Sequence, residues 1–487
     1  MISNLTKSTS SLLLLALVAI YAWAPLPLGS NRDWSLTLLA NLLLLHGVCT
    51  LLCVALKLSP LTSALKKAWP LLALLLAVQF WVGVQWMTNI SLYHPPTRAA
   101  LHLGCGLSAA AFSVLALLET RAQLRFFVGA LFIIGLIQGL FAGIALLSGI
   151  EQIGLLDKVF RGDRATGTYV NPNHLAGLME MTLGLGVGLV LTGISHRRAS
   201  NRWSDRLRGL VTLLMSPVLR VRLWMVLLVV VLVMTRSRTG NVAFFVALVA
   251  GGALWFIMRK EFSRKALVLF ISFVLIDVII VADYFGLDKL IDRFEQSVAN
   301  TAQKGSDGTM PAVMRSRLDP GRIVAAEDTL RMWQDNFVTG TGAGTFPYVY
   351  NFGDRRGSAP YRSNEKLTFR YAHNDYLEIG AEYGAIGFTL MAAAVLVSAY
   401  QGLIAIRRRR GQSMPALSLG LIIGILSLLI HGVADGNLQI PANALWFVTF
   451  LTLCWVARYM GKTGAKAPAD ADTSLSAETF TKSFRAS

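Results

Sequence analysis

Residues 222–257 hold two apolar runs, Leu223-Trp-Met-Val-Leu-Leu-Val-Val-Val-Leu-Val-Met234 and Val242-Ala-Phe-Phe-Val-Ala-Leu-Val-Ala250. They are joined by Thr235-Arg236-Ser237-Arg238-Thr239-Gly240-Asn241. Both arms are apolar enough for hydrocarbon, where a sheet edge cannot be satisfied, so both are predicted to be helices. The tip is a very tight turn that packs two guanidinium groups side by side. Their mutual repulsion in a partly dehydrated place calls for an anion to offset it.

The same pattern continues in both directions. Of 487 residues, 54% are hydrophobic and only 15% charged, against about 25% charged in a soluble domain; the mean hydropathy is +0.55. Crossing a bilayer takes about 20 residues. Segments of that kind fall at 11–28, 35–57, 70–90, 98–118, 125–149 and 174–195, then at 222–235 (short), 239–257, 266–285, 374–404, 415–433 and 440–459. The predicted fold is an all-α polytopic membrane protein of about twelve transmembrane helices. Ala22-Trp23-Ala24 resembles a signal-peptidase site, but only Lys7 precedes the apolar run.

Lysines and arginines set the orientation. One set of alternate loops carries Lys57, Lys66, Lys67, Arg121 and Arg125, seven arginines between 197 and 222, four basic residues between 259 and 265, and Arg407 to Arg410. The opposite short loops hold only Arg32, Arg98, Lys158, Arg161, Arg164, Arg236 and Arg238. Both termini are therefore expected in the cytoplasm. The net charge of +18 is dispersed in these short clusters, which fits an anionic membrane leaflet and not nucleic acid. The expected division is a membrane domain over 1–461, with one large periplasmic loop at 286–373, followed by a polar, disordered tail at 462–487. Cys49, Cys53, Cys105 and Cys454 lie in or beside apolar segments without metal-ligand spacing.

Outer-face arginines go against the charge rule, and their company is distinctive. The outer loops read Pro27-Leu-Gly-Ser-Asn-Arg32-Asp-Trp34, then Arg161-Gly-Asp163-Arg164-Ala-Thr-Gly167-Thr-Tyr-Val-Asn171-Pro-Asn173-His174, then the arginine turn. The long loop holds Thr329-Leu-Arg331-Met-Trp333 and Gly340-Thr-Gly-Ala-Gly344, and ends in Tyr371-Ala-His373-Asn-Asp375-Tyr-Leu-Glu378; the last outer loop is His431-Gly-Val-Ala-Asp435-Gly-Asn-Leu-Gln-Ile-Pro441. Asn-Pro-Asn-His can also be read as a turn and helix cap. The glycine run has no clear strand before it and no lysine, so it reads as a turn before it reads as a phosphate loop. His373 sits at a predicted helix start. Asp375, Glu378 and Glu382 share one face below it and either orient the imidazole or supply the base themselves. Cations at the outer face suit a diphosphate whose carrier tail stays in the bilayer. Arginines stabilise such a leaving group without a metal, and no metal-ligand cluster or cofactor motif is present on that face. Asp470-Ala-Asp472 mimics a D-x-D motif but lies in the tail, on the wrong side.

From Pro25 to Pro441 the chain resembles the O-antigen ligase/O-antigen polymerase (Wzy-type) superfamily of bacterial membrane glycosyltransferases. The resemblance rests on six motifs in order: Pro27 to Trp34, Gly167 to Gly177, Thr235 to Gly240, Arg331 to Phe346, His373 to Glu378 and His431 to Pro441. It implies a GT-C-like fold in the bacterial inner membrane. It also implies an inverting, metal-independent transfer of glycan from an undecaprenyl-diphosphate carrier, at the periplasmic face. The matching positions for diphosphate binding are Arg236 or Arg238 (the latter fits an S-R-small-small pattern) and Arg331. His373 matches the activator of the acceptor, with Glu378 as the competing base. Arg164, Asn171, Asn173, His174 and Asp435 are candidates for holding the glycan; Gly436 departs from the bulky residue expected after Asp435.

The expected acceptor is a growing glycan, as in an O-antigen or exopolysaccharide polymerase, or lipid A core, as in a ligase; protein glycosylation is also represented in the superfamily. Membrane lipids and a chain-length regulator protein are the further partners. The rival from another class is a flippase or exporter of lipid-linked sugars. An exporter should carry charges inside its spans and show related halves, whereas here ionisable residues crowd at one side.

Overall fold

The computed structural model describes residues 2–149, 163–193, 217–259, 320–354 and 368–461, with scattered residues at 152–157, 267–275 and 357–363. The expected span 266–285 lies almost wholly outside these residues. So do the first part of the long loop and the tail at 462–487.

The elements run α1 (Ile2–Trp23), a 3-10 turn (Leu28–Ser30), α2 (Asp33–Ala55), α3 (Ser63–Lys67), α4 (Trp69–Met87), α5 (His94–Leu117) and α6 (Arg121–Leu147). A two-residue antiparallel pairing of β1 (Gln152–Ile153) with β2 (Leu156–Asp157) follows. Then come α7 (Pro172–Thr192), α8 (Pro217–Met234), α9 (Arg238–Arg259), α10 (Pro320–Asp335), α11 (Phe346–Phe352), α12 (Asp375–Arg408), α13 (Ser413–His431) and α14 (Pro441–Tyr459). Every expected span that lies within the described residues has a helix at its place. Among the described residues, eight helices are long and apolar enough to cross a membrane: α2, α4, α5, α6, α7, α9, α12 and α13.

The helix starts carry the chemistry that local sequence dictates. Thr120 and Gln123 cap α6 reciprocally, at 3.2 and 2.9 Å. Asn171 caps α7 by accepting from the Asn173 amide at 2.9 Å, with Pro172 in the first turn. Asn374 caps α12 by accepting from the Leu377 amide at 3.0 Å.

α7 is the axis of the molecule: 89% of its apolar window is buried, against 22% for α4. A helix enclosed all round needs neighbours at close range, and glycines supply that. A Cβ on Gly184 would lie 2.7 Å from the Gly420 carbonyl, and one on Gly188 would lie 3.0 Å from the Ala416 carbonyl. This is small-residue packing of α7 on α13, as used between membrane helices. On the periphery, Leu45, Leu52, Leu76 and Phe80 stand exposed, as a lipid solvent permits.

At one end of the bundle lies a second, smaller core. Met332 of α10, Phe346, Val349 and Tyr350 of α11, and Ala372 and Ala381 around the start of α12 are buried together, with Trp333 and Phe369 packed against them. Gly380 makes room for this core, since a Cβ there would meet the Trp333 ring at 2.6 Å.

The expected single span at 374–404 is broken. Gly384 has φ +63° and ψ −177° in the middle of α12. Chain 337–342 laces into the break: Ala385 donates to the Phe337 carbonyl at 2.8 Å, Thr341 to Ala381 at 2.9 Å and Gly342 to Glu382 at 2.9 Å. α12 is therefore a short segment at the loop end followed by a long apolar one.

Candidate active site

The polar motifs converge at the end of the bundle where the small core sits. The Thr168 hydroxyl donates to the Pro25 carbonyl at 2.7 Å and lies 2.9 Å from Gln138 Oε1. The ring of Tyr169 lies where a Cβ on Gly29 would stand, at 2.8 Å, and its hydroxyl donates to Asn443 at 3.0 Å. Asn443 in turn donates to the His174 carbonyl at 2.9 Å and to Asn437 at 3.1 Å. Tyr371 donates to Asn31 at 2.8 Å. The motifs at 27–34, 167–177 and 431–441 are thus bolted to each other, and much of their polarity is spent on that.

Asp435 is the hub. Its side chain is 2% exposed and faces four groups from different parts of the chain. It accepts from His373 Nδ1 at 3.2 Å, from Asn173 Nδ2, and from the Gly436 amide at 2.9 Å; Arg322 Nη2 stands 3.7 Å away. Arg322 also donates to the Ala434 carbonyl at 3.1 Å. Behind Asn173, Arg164 donates through Nη2 to Asn173 Oδ1 and through Nε to the Thr235 carbonyl, both at 2.8 Å. The Arg164 guanidinium lies in the fields of Arg322, Asp435 and Arg238. Burial alone would raise the Asp435 carboxyl. The His373 hydrogen bond and the nearby imidazoles of His174 and His431 outweigh it and hold the group well below the usual carboxylate range.

His373 itself is in the left-handed region, φ +54°, an uncommon conformation for a residue with a Cβ. The structure around it fixes that geometry. Glu378 accepts from the Ala372 amide at 2.6 Å, Asn374 donates to the Val433 carbonyl at 2.8 Å, and the Asp375 amide donates to Gly432 at 2.8 Å. Asp375 accepts from the Asn437 and Leu438 amides at 3.1 and 3.2 Å, locking the last loop onto α12. All three carboxylates expected below His373 are thus bound to backbone amides, Glu382 accepting from the Phe346 amide at 2.8 Å.

Of the other residues singled out in the sequence, Asn171 is the cap of α7. His174 is buried, edge-on to Tyr371 with ring centroids 5.8 Å apart, and its Nε2 has no partner among the described residues. Arg236 forms an ion pair with Asp163, while Arg238 has none among the described residues. Arg331 is exposed and reaches back to Asp328 at 3.4 Å; it is not among the groups that meet at Asp435. The helix that carries it sends Arg322 there instead. The glycine run serves the fold. Gly340, Gly342 and Gly344 all have positive φ, and a Cβ on Gly340 would lie 2.2 Å from the Glu382 carbonyl.

Arg322 was not legible as a site residue, because it stands in a polar loop stretch with no motif around it. Glu180 and His431 were missed too. They form a pair at 2.6 Å with no exposure. A lone carboxylate in an apolar span was the available signal for Glu180.

Residues 223–392 match the profile of a family described as O-Antigen ligase, Wzy_C. That stretch contains the arginine turn, Arg331 and His373, so three of the six motifs behind the resemblance lie inside it. No curated protein matches the chain.

Proposed function

We propose that the chain is an inverting glycosyltransferase that takes glycan from an undecaprenyl-diphosphate carrier at the periplasmic face of the inner membrane. The observation that carries this reading is His373 Nδ1 set 3.2 Å from a buried Asp435, which Arg322 approaches at 3.7 Å and which Asn173 links to Arg164, itself in the field of Arg238.

With Nδ1–H directed at the Asp435 carboxylate, the Nε2 lone pair is the one offered to substrate. The carboxylate fixes the tautomer and favours the imidazolium that forms. In the reaction the acceptor oxygen bonds to the sugar C1 as the C1–O bond to the diphosphate breaks. The acceptor proton goes to His373 Nε2, and the electron pair leaves with the undecaprenyl diphosphate. Arginines placed ahead of that charge lower its energy without a metal. Arg238 is assigned to the diphosphate, because Asp163 already offsets the charge of Arg236. Arg331 is assigned a peripheral contact with the donor. Asn173, His174 and Arg164 line the glycan side, while Asp435 acts through His373. Glu378 is a positioning residue, spent on the Ala372 amide.

The leading reading is a polymerase extending O-antigen or exopolysaccharide. The ligase reading has its own observation, the description of the family matched over residues 223–392. Deleting the gene separates them. A polymerase loss leaves single repeat units on lipid A core, whereas a ligase loss leaves bare core and full-length polymer on the carrier. Purified protein given lipid-linked donor and glycan acceptor should transfer in EDTA. It should lose about 1.5–3 kcal/mol of transition-state stabilisation, roughly ten- to hundredfold, on Arg322→Ala. Full activity of an Arg238→Ala/Arg322→Ala variant would overturn the reading.

A further inference from the structure

Behind the site, at the same end of the bundle, lies a polar chain that the reaction as described does not use. Glu180 of α7 and His431 of α13 are completely buried and meet through Oε1 and Nδ1 at 2.6 Å. Glu180 Oε2 accepts from the Ser427 hydroxyl at 2.7 Å. On the other side of the ring, His431 Nε2 faces the Ser237 hydroxyl at 3.4 Å. Ser237 is the residue between Arg236 and Arg238. With the ring proton on Nδ1, His431 donates to Glu180 and Nε2 accepts from Ser237 Oγ–H, while Ser237 Oγ accepts from the Gly240 amide at 3.3 Å. Asn241 Nδ2 adds a 2.7 Å bond to the Ser237 carbonyl.

A carboxylate and an imidazole are costly at the core of a membrane bundle, and such groups mark function more often than mere stability. A second observation ties this pair to the turn. Gly240 has no side chain at a point where a Cβ would lie 2.8 Å from Glu180 Oε1 and 3.1 Å from the Ala176 Cβ. The first turn of α9 is therefore pressed onto α7 at the level of the pair. Arg236, with φ +52°, is also held in the left-handed region, so the turn has one strained geometry to keep.

We propose that Glu180 and His431 are positioning residues for the donor: through Ser237 they set the direction in which Arg238 leaves the turn toward the diphosphate. This rests on the assignment of Arg238 to the diphosphate. The pair touches no substrate and takes no proton from it. It keeps a cation on target, and a misplacement of about 1 Å at such a contact costs up to roughly a hundredfold.

The test uses purified full-length protein with lipid-diphosphate glycan donor, measuring donor KM, acceptor KM, kcat and thermal midpoint. Ser237→Ala removes the link and leaves the buried pair intact, so it decides the matter even if Glu180→Gln fails to fold. Donor KM should rise about ten- to hundredfold in Ser237→Ala, with acceptor KM and kcat nearly unchanged. If Ser237 acts through Arg238, the Ser237→Ala/Arg238→Ala variant should show no rise beyond that of Arg238→Ala alone. Unaltered donor KM in Ser237→Ala beside a raised one in Arg238→Ala overturns the inference and leaves the function standing. Multiplying effects in the double variant overturn it as well. If Arg238→Ala itself leaves donor KM unchanged, the diphosphate assignment fails and the inference falls with it.

Discussion

At the scale of single residues, the contest over the catalytic base turns on what each candidate's atoms already do. Glu378 is 2% exposed and accepts from the Ala372 amide, so using it as a base would release the chain that holds His373 in place. His373 has one nitrogen on Asp435 and the other with no bond to the described residues. His373→Gln should lose about 10²- to 10⁴-fold in transfer with donor binding intact. Glu378→Gln keeps an oxygen for the Ala372 amide and should lose far less. A dead Glu378→Gln beside an active His373→Gln would reverse the assignment. Asp435 makes a separate prediction through pH. Its carboxyl lies below the usual range in the folded protein. Its contribution to stability is therefore complete above the ordinary carboxylate value of about 3.9 and is lost as pH falls through the lower folded value. The gap in thermal midpoint between wild type and Asp435→Asn should shrink as pH falls below about 4. A gap unchanged down to about pH 2.5 would show that ionised Asp435 holds nothing together.

At the scale of elements, hydropathy located helices well and said little about their interruptions. An apolar run of the right length reads as one span, and 374–404 is such a run. The break at Gly384 arises from partners more than forty residues upstream, because chain 337–342 takes the hydrogen bonds that the helix gives up there. No local pattern encodes that. The glycine run Gly340–Gly344 was legible as a turn for the related reason that it lacks a lysine and a preceding strand. What it turns around, Glu382, was not legible. Arg322 was hidden for the same cause: only the folding of α10 onto the last loop brings it to Asp435. The break can be tested directly. A Cβ on Gly384 would sit 2.3 Å from the Val338 carbonyl at a positive φ, so Gly384→Ala should lower the thermal midpoint, with a cost of about 1–3 kcal/mol. Gly83→Ala in α4 is the matched control, because nothing lies within 4 Å of its added Cβ. There the change should be neutral or slightly stabilising. Equal midpoints for the two variants would mean that the lacing of 337–342 into α12 carries no stability.

At the scale of the whole molecule, the distribution of charge in the sequence and the gathering of motifs in the fold make one argument. The loops poor in lysine and arginine are the ones whose residues meet around Asp435: 163–171 through Arg164, 235–238 through the Thr235 carbonyl, and 432–440 through Asp435 itself. The arginines in those loops are held there against the orienting rule. At the other end, Arg259 donates to the Ile406 and Arg409 carbonyls at 3.4 and 3.2 Å, and Arg409 to Met460 at 2.8 Å. Basic side chains there satisfy the carboxyl ends of α12 and α14, where cations are favoured. An active site on lipid-linked donor requires the first end to face the periplasm and the second the cytoplasm. In a variant with Cys49, Cys53, Cys105 and Cys454 replaced, a single cysteine at exposed Ala359 should react with an impermeant maleimide in intact spheroplasts. Cysteines at exposed Glu119 and Gly411 should react only after lysis. These three positions lie on loops at opposite ends of the bundle, so one inverted result cannot be absorbed by shifting a helix boundary. Labelling of Glu119→Cys or Gly411→Cys from outside, with Ala359→Cys protected, would place the Asp435 cluster in the cytoplasm. It would then be cut off from a donor presented at the outer face, and the proposed reaction would have no substrate within reach.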